Sequence, residues 1–288
     1  MNSIIAQLDD VHLIYHEPRG ETEAVGGISL SVHKGEFVSI VGPSGCGKTS
    51  LLSIFAGILQ PSSGKAEVLG APPDPRANST GSVLLDGTPV TRPTSRIGYM
   101  LQRDHLFDWR TIEQNALLGL EVKKRLNAET HAYAAELLDR YGLGAFKDYY
   151  PRQLSGGMKQ KAALIRTLAF SPELLLLDEP FSALDYQQRL LLADEVHSII
   201  KRGGYTAVLV THDISEAICM SDRVIILSER PARIRKQVEI NMGSDTPLER
   251  RSNPLFREYY DAVWSEFRLA GERQQLMPTE NANTQKGV

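Results

Sequence analysis

Apolar residues recur along the chain with two spacings, one typical of strands and the other of helices. Between residues 4 and 40, apolar and polar positions alternate in short runs, which predicts short strands and turns. The last run, FVSIV, leads into a glycine-rich loop, and the next segment, SLLSIFAGIL, has helical spacing as far as Pro61. A strand, a glycine loop and a helix in succession indicate an α/β core.

The second half of the chain repeats this alternation. Helical spacing predominates over residues 111–150, and SGGMKQKAALIRTLAF and YQQRLLLADEVHSIIKRGG are two further predicted helices. Three apolar runs have strand length, as expected for parallel strands buried on both faces. These runs are ELLLLDEP, TAVLVTHD and RVIIL. The pattern predicts a mainly parallel sheet with helices between its strands.

Residues 64–87 lie outside this alternation. They contain two versions of one strand and turn, GKAEVLG and GSVLLDG, joined by a proline-rich polar segment. We interpret the joining segment as an exposed loop, and we expect a surface insertion of about one strand and turn in this region, with no assigned role.

The C-terminal part has a different character. NPLFREYYDAVWSEFRLAG has the spacing of an amphipathic helix, which either packs on the core or binds a regulatory partner. Its apolar face would present Leu255, Tyr259, Val263 and Phe267. We expect a main domain over residues 4–230, an extension with this helix over 231–271, and a disordered polar tail over 272–288.

Composition narrows the class of protein. The 288 residues are 42% hydrophobic and 23% charged with a net charge of −3, which suits a soluble globular protein and argues against a dedicated nucleic-acid binder. We find no apolar run long enough to cross a bilayer and no signal peptide at the start. The two cysteines make no disulfide framework and favour a reducing cytosol. Any connection with a membrane must therefore come through a partner.

The loop GPSGCGKT, from Gly42 to Thr49, fits the pattern G-x-x-x-x-G-K-[ST] between a strand and a helix. Backbone N–H groups of such a loop wrap phosphates. Lys48 can reach the β- and γ-phosphates, and the Thr49 hydroxyl can bind Mg²⁺. A chance glycine turn is the alternative, but the strand and the helix favour nucleotide binding. Cys46, within the loop, is either a redox-sensitive switch or a small tolerated residue, and we favour the latter.

Polar residues after predicted strands are further candidates, because ligands bind at the carboxyl ends of strands in open α/β sheets. Asp178 can hold Mg²⁺ through water and Glu179 can polarise an attacking water, although an acidic pair can also be a solvated turn. His212 follows AVLVT and can contact a γ-phosphate. Gln102 follows an apolar run and can bind Mg²⁺ or water. Tyr15 either stacks on adenine or packs structurally.

A second glycine-rich stretch, LSGGMKQ, lies far downstream of the first. Ser155 can cap the helix that follows, whose glycines expose backbone N–H groups. An isolated stretch of this kind is usually only a helix cap, and this one has no lysine placed as Lys48 is to reach phosphates.

Together these residues resemble the ABC-type ATPases from residue 8 to about 230. The P-loop, Q-loop, signature, Walker B with D-loop, and H-loop of that family match GPSGCGKTS, MLQ, LSGGMKQ, LLLLDEPFSALD and THD, in this order. The chain looks like the ATP-binding subunit of a bacterial importer. Three segments are similar to the nitrate/sulfonate/taurine-type subgroup, namely GEFVSIVGPSGCGKTSLL, DWRTIEQNA and SERPARI. The implied fold is an α/β P-loop NTPase with a RecA-like core, an N-terminal antiparallel β subdomain and a helical subdomain near residues 103–160.

The resemblance implies ATP and Mg²⁺ as cofactors and a role for each candidate. Tyr15 would stack on adenine, Glu179 would be the catalytic base, and His212 would sense the γ-phosphate. The residues at the metal would be Thr49, Gln102 and Asp178. The residues at the phosphates would be Gly42, Pro43, Ser44, Gly45, Cys46, Gly47, Lys48, Thr49 and Ser50.

The resemblance also implies partners. The signature loop would serve ATP held by the other copy of a homodimer, through Ser155, Gly156, Gly157 and Gln160, and Asp185 would cross the interface. The surface RDHLFDWR, after Gln102, would receive a short helix from an integral membrane permease. The chain would then lie on the cytoplasmic face of the membrane, linked indirectly to an external solute-binding protein and to no nucleic acid.

The sequence departs from the family pattern at two places. RDHLFDW lacks the proline that close relatives often carry there, and Lys159 and Lys161 stand where arginine is common.

A soluble ABC ATPase acting on nucleic acid or in cofactor assembly is the alternative function, which the single motif set and the net charge of −3 disfavour. A GTPase or kinase is disfavoured because the guanine-reading motif N-K-x-D is absent. The sequence does not give the transported solute.

Overall fold

Strands and helices follow the predicted alternation. The computed structural model describes residues 3–18, 20–68, 82–85, 88–89, 96–243 and 246–276. Its strands are β1 (Ile4–Glu17), β2 (Gly20–His33), β3 (Phe37–Val41), β4 (Ser63–Val68), β5 (Ser82–Leu85), β6 (Thr88–Pro89), β7 (Ile97–Met100), β8 (Leu174–Asp178), β9 (Thr206–Thr211), β10 (Arg223–Leu227) and β11 (Ile234–Glu239). Its α-helices are α1 (Lys48–Phe55), α2 (Ile112–Val122), α3 (Ala128–Arg140), α4 (Gly156–Leu168), α5 (Tyr186–Arg202), α6 (Ile214–Met220), α7 (Pro247–Ser252) and α8 (Phe256–Leu276).

The larger sheet is parallel apart from one edge strand. Its order within the described residues is β11-β10-β3-β9-β8-β7, and only β11 pairs antiparallel. Every residue of β3, β8 and β9 is buried, which explains their unbroken apolar runs. The predicted parallel sheet is confirmed.

The smaller sheet contains the N-terminal strands, in the order β2-β1-β4-β5-β6. β1 pairs antiparallel with both β2 and β4, whereas β4 and β5 are parallel. In place of the short strands predicted over residues 4–40, β1 and β2 have 14 residues each. Their pairing shifts register at several points, for example between Leu8 and Val11. A register shift moves side chains to the other face, so the alternation in the sequence breaks although the strand continues.

Helix α1 lies between the two sheets and contacts strands of both. Four of its apolar side chains are fully buried there: Leu51, Leu52, Ile54 and Phe55. Because the glycine loop leads directly into α1, this packing fixes the end of the loop against both sheets.

The predicted helical region contains α2, α3 and the first part of α4. Thr111 and Asn127 cap α2 and α3, and each exchanges hydrogen bonds with the residue three positions later. α4 runs beyond residue 160 to Leu168 and packs on β7, which connects this region with the larger sheet.

Helix α8 packs on the core. Val263 is fully buried in a cluster with residues of α6 and β10, and Tyr259 and Phe267 of the predicted apolar face pack against that cluster. Leu255, before the helix, remains 40% exposed. The helix reaches Leu276, five residues past the predicted boundary at 271. The rest of the tail, 277–288, and residues 69–81 and 86–87 of the predicted insertion lie outside the described residues.

Candidate active site

A cavity of about 660 Å³ opens beyond the carboxyl ends of β3, β8 and β9. Its walls are formed by Ser44, Gly45, Gly47, Lys48, Thr49, Ser50, Gln102, Glu179, His212 and Arg230. The structure thus brings residues of the glycine loop together with three polar side chains that were predicted to follow strands. Arg230 was not predicted.

The glycine loop depends on backbone conformations that favour glycine. Gly45 has φ of 72° and Gly47 has φ of 119°. A Cβ on Gly47 would lie only 2.6 Å from the Ala24 carbonyl oxygen of the smaller sheet. Turns of this kind gather N–H groups on one side of the backbone and create an anion-binding concavity.

Lys48 is held across this loop. Its side chain is 7% exposed, and Nζ donates to the carbonyl oxygens of Gly42 and Pro43, 2.9 Å away in each case. These two contacts satisfy two of the three N–H donors of the ammonium. The Cys46 side chain of the loop is buried, and burial raises the pKa of its thiol, which favours the structural interpretation over a reactive thiolate.

Asp178, the last residue of β8, is 5% exposed and accepts two hydrogen bonds. Thr49 Oγ1 donates to it over 3.3 Å and the Tyr99 hydroxyl over 3.4 Å. Burial raises the pKa of Asp178. Burial, and then the charge of Asp178, raise the pKa of Tyr99 to about 12, so the phenol remains a donor at neutral pH. Tyr99 was missed because a tyrosine in an apolar strand gives no signal of a polar contact.

Glu179 is held on both sides. Gln102 Nε2 donates to its Oε2 over 3.1 Å, and His212 Nδ1 lies 3.2 Å from the same oxygen. The three residues follow β7, β8 and β9, which are neighbours in the sheet. Glu179 has a left-handed φ of 44°, a strained conformation for a residue other than glycine and one often found at functional sites.

The oxygen groups in this corner suit Mg²⁺. The Thr49 hydroxyl, the Asp178 carboxylate and the Gln102 amide are hard ligands that Mg²⁺ prefers. No group of three or more His, Cys, Asp or Glu side chains able to hold a metal occurs in the part of the chain that the structure describes. Mg²⁺ is usually held by one or two carboxylates together with substrate phosphates, so this set fits an ion that arrives with a nucleotide.

Tyr15 lies next to the site but does not line the cavity. Its hydroxyl is 3.0 Å from Ser50 Oγ, and its ring packs against the core beneath the smaller sheet. The stacking of Tyr15 on adenine stays a prediction.

The signature residues form a separate group. Ser155 caps α4 by accepting from the Met158 N–H, and Asp185 caps α5. A Cβ on Gly156 would lie 3.1 Å from Leu184, so the two caps are neighbours. None of the residues predicted to serve the second copy lines the cavity; these are Ser155, Gly156, Gly157, Gln160 and Asp185.

An ionic network joins this group to the segment that follows His212, through Asp213 and Glu216. Arg189 on α5 donates to the Leu184 carbonyl over 3.3 Å and to Asp213 over 3.4 Å, and its Nε is 3.6 Å from Glu216. Glu216 also accepts a hydrogen bond of 2.7 Å from Thr211. Burial raises the pKa of Glu216 to about 7. Sequence analysis missed Arg189 and Glu216, since neither belongs to a strand end or a glycine loop.

Arg230 enters the cavity from the loop after β10. Its Nε and Nη2 lie 3.1 and 2.8 Å from the Gly45 carbonyl oxygen. The only signal in the sequence was its position in SERPARI, which resembles a subgroup of the family without indicating a role.

The segment around Gln102 exposes large apolar side chains among charged ones such as Arg103 and Asp108. The rings of Phe107 and Trp109 stack with centroids 4.7 Å apart, and Trp109 is 72% exposed. Leu101, which precedes Gln102, is 40% exposed. Among the described helices, none has both the length and the apolar character needed to cross a membrane.

Comparisons with known proteins place the chain in a family. The family model described as ABC transporter matches residues 25–182. The chain is 43% identical to the uncharacterised ABC transporter ATP-binding protein YtlC of Bacillus subtilis, over 93% of this chain and 97% of that protein. It is 36% identical to the nitrate import ATP-binding protein NrtD of Synechocystis, over 90% and 93% of the two chains. It is 35% identical to the taurine import ATP-binding protein TauB of Pelagibacter ubique, over 92% and 96%.

The fold leads to the same family. The chain superimposes on the dimeric structure of a post-hydrolysis state of the ATP-binding cassette MJ0796 bound to ADP and Pi, with a TM-score of 0.66 and 26% identity over 82% of this chain and 99% of that chain. The chain therefore belongs to the ABC transporter family, as an ATP-binding and ATP-hydrolysing subunit with the P-loop NTPase fold.

Proposed function

We propose that the chain energises import: two copies close on ATP and Mg²⁺ and drive a small solute through a separate membrane permease. The observation that carries the hydrolytic part is the position of Glu179, fixed between Gln102 and His212 at the wall of the phosphate cavity. A carboxylate oriented in this way can accept the proton of an attacking water.

The other side chains bind and orient the nucleotide. Lys48 would exchange the Gly42 and Pro43 carbonyls for phosphate oxygens. His212 would donate to the γ-phosphate, and its contact with Glu179 would keep both groups in place. The metal would be held by Thr49, Gln102 and Asp178, and when bound it would neutralise charge on the phosphates. Tyr15 would stack on the adenine.

A second copy would complete the site. Ser155 and Gly156 are exposed at the N-terminus of α4, whereas Gln160 is buried, and none of the residues from Ser155 to Gln160 lines the cavity of its own chain. The solved structure of MJ0796 is described as dimeric, which supports the same arrangement here. In the proposed dimer, each ATP contacts the glycine loop of one chain and the signature loop of the other.

The apolar surface formed by Leu101, Phe107 and Trp109 would receive the permease. The chain would therefore be a peripheral protein on the cytoplasmic face of the membrane, with an external solute-binding protein as an indirect partner. The import proteins NrtD and TauB, to which the chain is similar, are named for nitrate and taurine, which supports a small anionic or sulfonate-like solute.

Replacement of Glu179 by glutamine tests the catalytic role. The variant should bind Mg-ATP like the wild type, because the amide keeps the shape of the side chain, but kcat should fall by about 10²–10⁴-fold, since the proton acceptor is lost. Steady-state phosphate release and equilibrium binding measure the two effects. Glu129→Gln on the exposed start of α3 is the matched control and should hydrolyse ATP normally. Turnover at the wild-type rate in Glu179→Gln would show that another group is the base.

Purification from cells tests the transport role. A tagged subunit should be recovered from detergent-solubilised membranes together with an integral membrane protein. Recovery with nucleic acid or with soluble assembly factors alone would support the rival function instead.

A further inference from the structure

We infer that Arg230 is a positioning residue of the nucleotide site: by donating twice to the Gly45 carbonyl, its guanidinium holds the glycine loop in the conformation that receives phosphates. The inference rests on the proposed ATP site and does not depend on transport.

The contact has the geometry that fixes a peptide group. Nε and Nη2 are neighbouring donors on one rigid plane, and both lie within 3.1 Å of the same oxygen. Because the peptide unit is planar, a fixed Gly45 carbonyl also fixes the direction of the Cys46 N–H. Gly45 has a φ of 72° and no neighbour within 4 Å of its Cβ position, so packing does not limit its conformation. The Cys46 N–H of the same peptide also donates to the Pro43 carbonyl, but over a longer distance of 3.3 Å, so the two donors of Arg230 make the shorter contacts.

Arg230 can restrain the loop because its own backbone is tied at both ends. Ser228 N–H donates to the Arg233 carbonyl over 2.8 Å, and the Arg233 N–H donates back to Ser228 Oγ over 2.9 Å. Ala232 pairs with β2 through hydrogen bonds with Ala24 and Gly26, of 3.0 and 2.9 Å. The loop is therefore anchored to both sheets while Arg230 extends over the cavity.

The charge of Arg230 is a competing explanation for any effect on binding. Lys48 and Arg230 both line the cavity, so a second cation alone would attract phosphates. The two explanations separate experimentally, because lysine keeps the charge but lacks the forked donor.

Binding of Mg-ATP to the purified subunit is the first test. Arg230→Ala should raise Kd about tenfold, as expected for the loss of a charge-assisted contact at a partly exposed site, with kcat at saturating ATP changed by less than about twofold. Arg230→Lys should stay weaker than wild type by more than about threefold. Arg233→Ala, three residues along the same loop and also exposed, is the matched control and should bind normally. An unchanged Kd in Arg230→Ala, or full recovery in Arg230→Lys, would overturn the inference.

The reactivity of Cys46 towards the thiol reagent DTNB is the second test, and it needs no nucleotide. Cys46 and Cys219 are the two cysteines of the chain, so a Cys219→Ala background leaves Cys46 alone. Cys46 is 2% exposed, and a restrained loop keeps it buried. Arg230→Ala should therefore react about tenfold faster, as expected if a contact of that size no longer opposes opening of the loop.

The direction of the change distinguishes the two explanations. Burial raises the pKa of the Cys46 thiol, and the charges of Lys48 and Arg230 partly oppose that rise. Loss of charge alone would raise the pKa further and slow the reaction, so a slower or unchanged rate contradicts the restraint. If the wild type binds no Mg-ATP, the proposed function fails, whereas the thiol assay still decides whether Arg230 holds the loop.

Discussion

Gly47 and Glu179 both have left-handed backbones, but for different reasons. At Gly47 the conformation leaves no room for a side chain, since a Cβ would approach the Ala24 carbonyl to 2.6 Å. At Glu179 the left-handed conformation is strained. Its N–H donates to the Val210 carbonyl, and its carboxylate contacts Gln102 and His212, so the residue is held in that conformation. The first constraint preserves the fold of the loop, and the second fixes the direction of the side chain that we propose as the catalytic base.

Replacement of Gly47 by alanine should abolish measurable binding of Mg-ATP, because the loop must move away from β2. The thermal midpoint should also fall, by more than in Gly35→Ala. Gly35 has a φ of 78° with open space around it, so its alanine variant incurs only backbone strain, about 1–2 kcal/mol, and should keep binding. Equal behaviour of the two variants would show that the contact with Ala24 is unimportant.

At the scale of elements, much of the architecture could be predicted. Apolar runs located the buried strands, because residues buried on both faces of a parallel sheet leave an unbroken signature. The full lengths of β1 and β2 could not be predicted, because register shifts depend on pairing with another strand. Motifs located Glu179 and His212, whereas Tyr99, Arg189 and Arg230 act through contacts with residues far away in sequence.

The junction of α5, α6 and β9 should make stability depend on pH through Glu216. Its pKa rises from 4.5 to about 7 because burial outweighs the hydrogen bond from Thr211 and the charge of Arg189 at 3.6 Å. The folded state therefore binds more protons than the unfolded state between these values, and the free energy of unfolding falls as pH rises through that window. Glu216→Gln, which stays neutral, should remove this fall, on the order of 3 kcal/mol by pH 8.

Urea unfolding at intervals from pH 4.5 to 8 measures this difference. The exposed Glu239→Gln on β11 serves as the control and should keep the wild-type slope. If Glu216→Gln keeps that slope as well, the carboxyl is charged throughout and paired with Arg189.

At the scale of the whole molecule, two open faces point to two kinds of partner. The first face contains Ser155 and the N-terminus of α4, which suits a phosphate held by another chain. The face around Trp109 exposes aromatic side chains, which suit a helix of a membrane protein.

Replacement of Trp109 by alanine should sharply lower recovery of the permease with the tagged subunit, because a 72% exposed aromatic anchor is lost. Binding of ATP by the isolated subunit should be unaffected. The other tryptophan of the chain, Trp264 on α8, is 51% exposed and provides a matched control, since Trp264→Ala should leave recovery unchanged. If Trp264→Ala lowers recovery of the permease as much as Trp109→Ala does, the permease contacts a wider surface that is not centred on Trp109.

The signature residues do not line the cavity of their own chain, and this has a genetic consequence. In the proposed dimer, a copy damaged at Ser155 keeps its own glycine loop intact and spoils the site of its neighbour. A copy damaged at Lys48 does the reverse. When both kinds of copy are made in one cell, each mixed pair contains one site with both defects and one site with none. Two alleles that are each inactive can therefore complement one another, and either of them is partly dominant over the wild type.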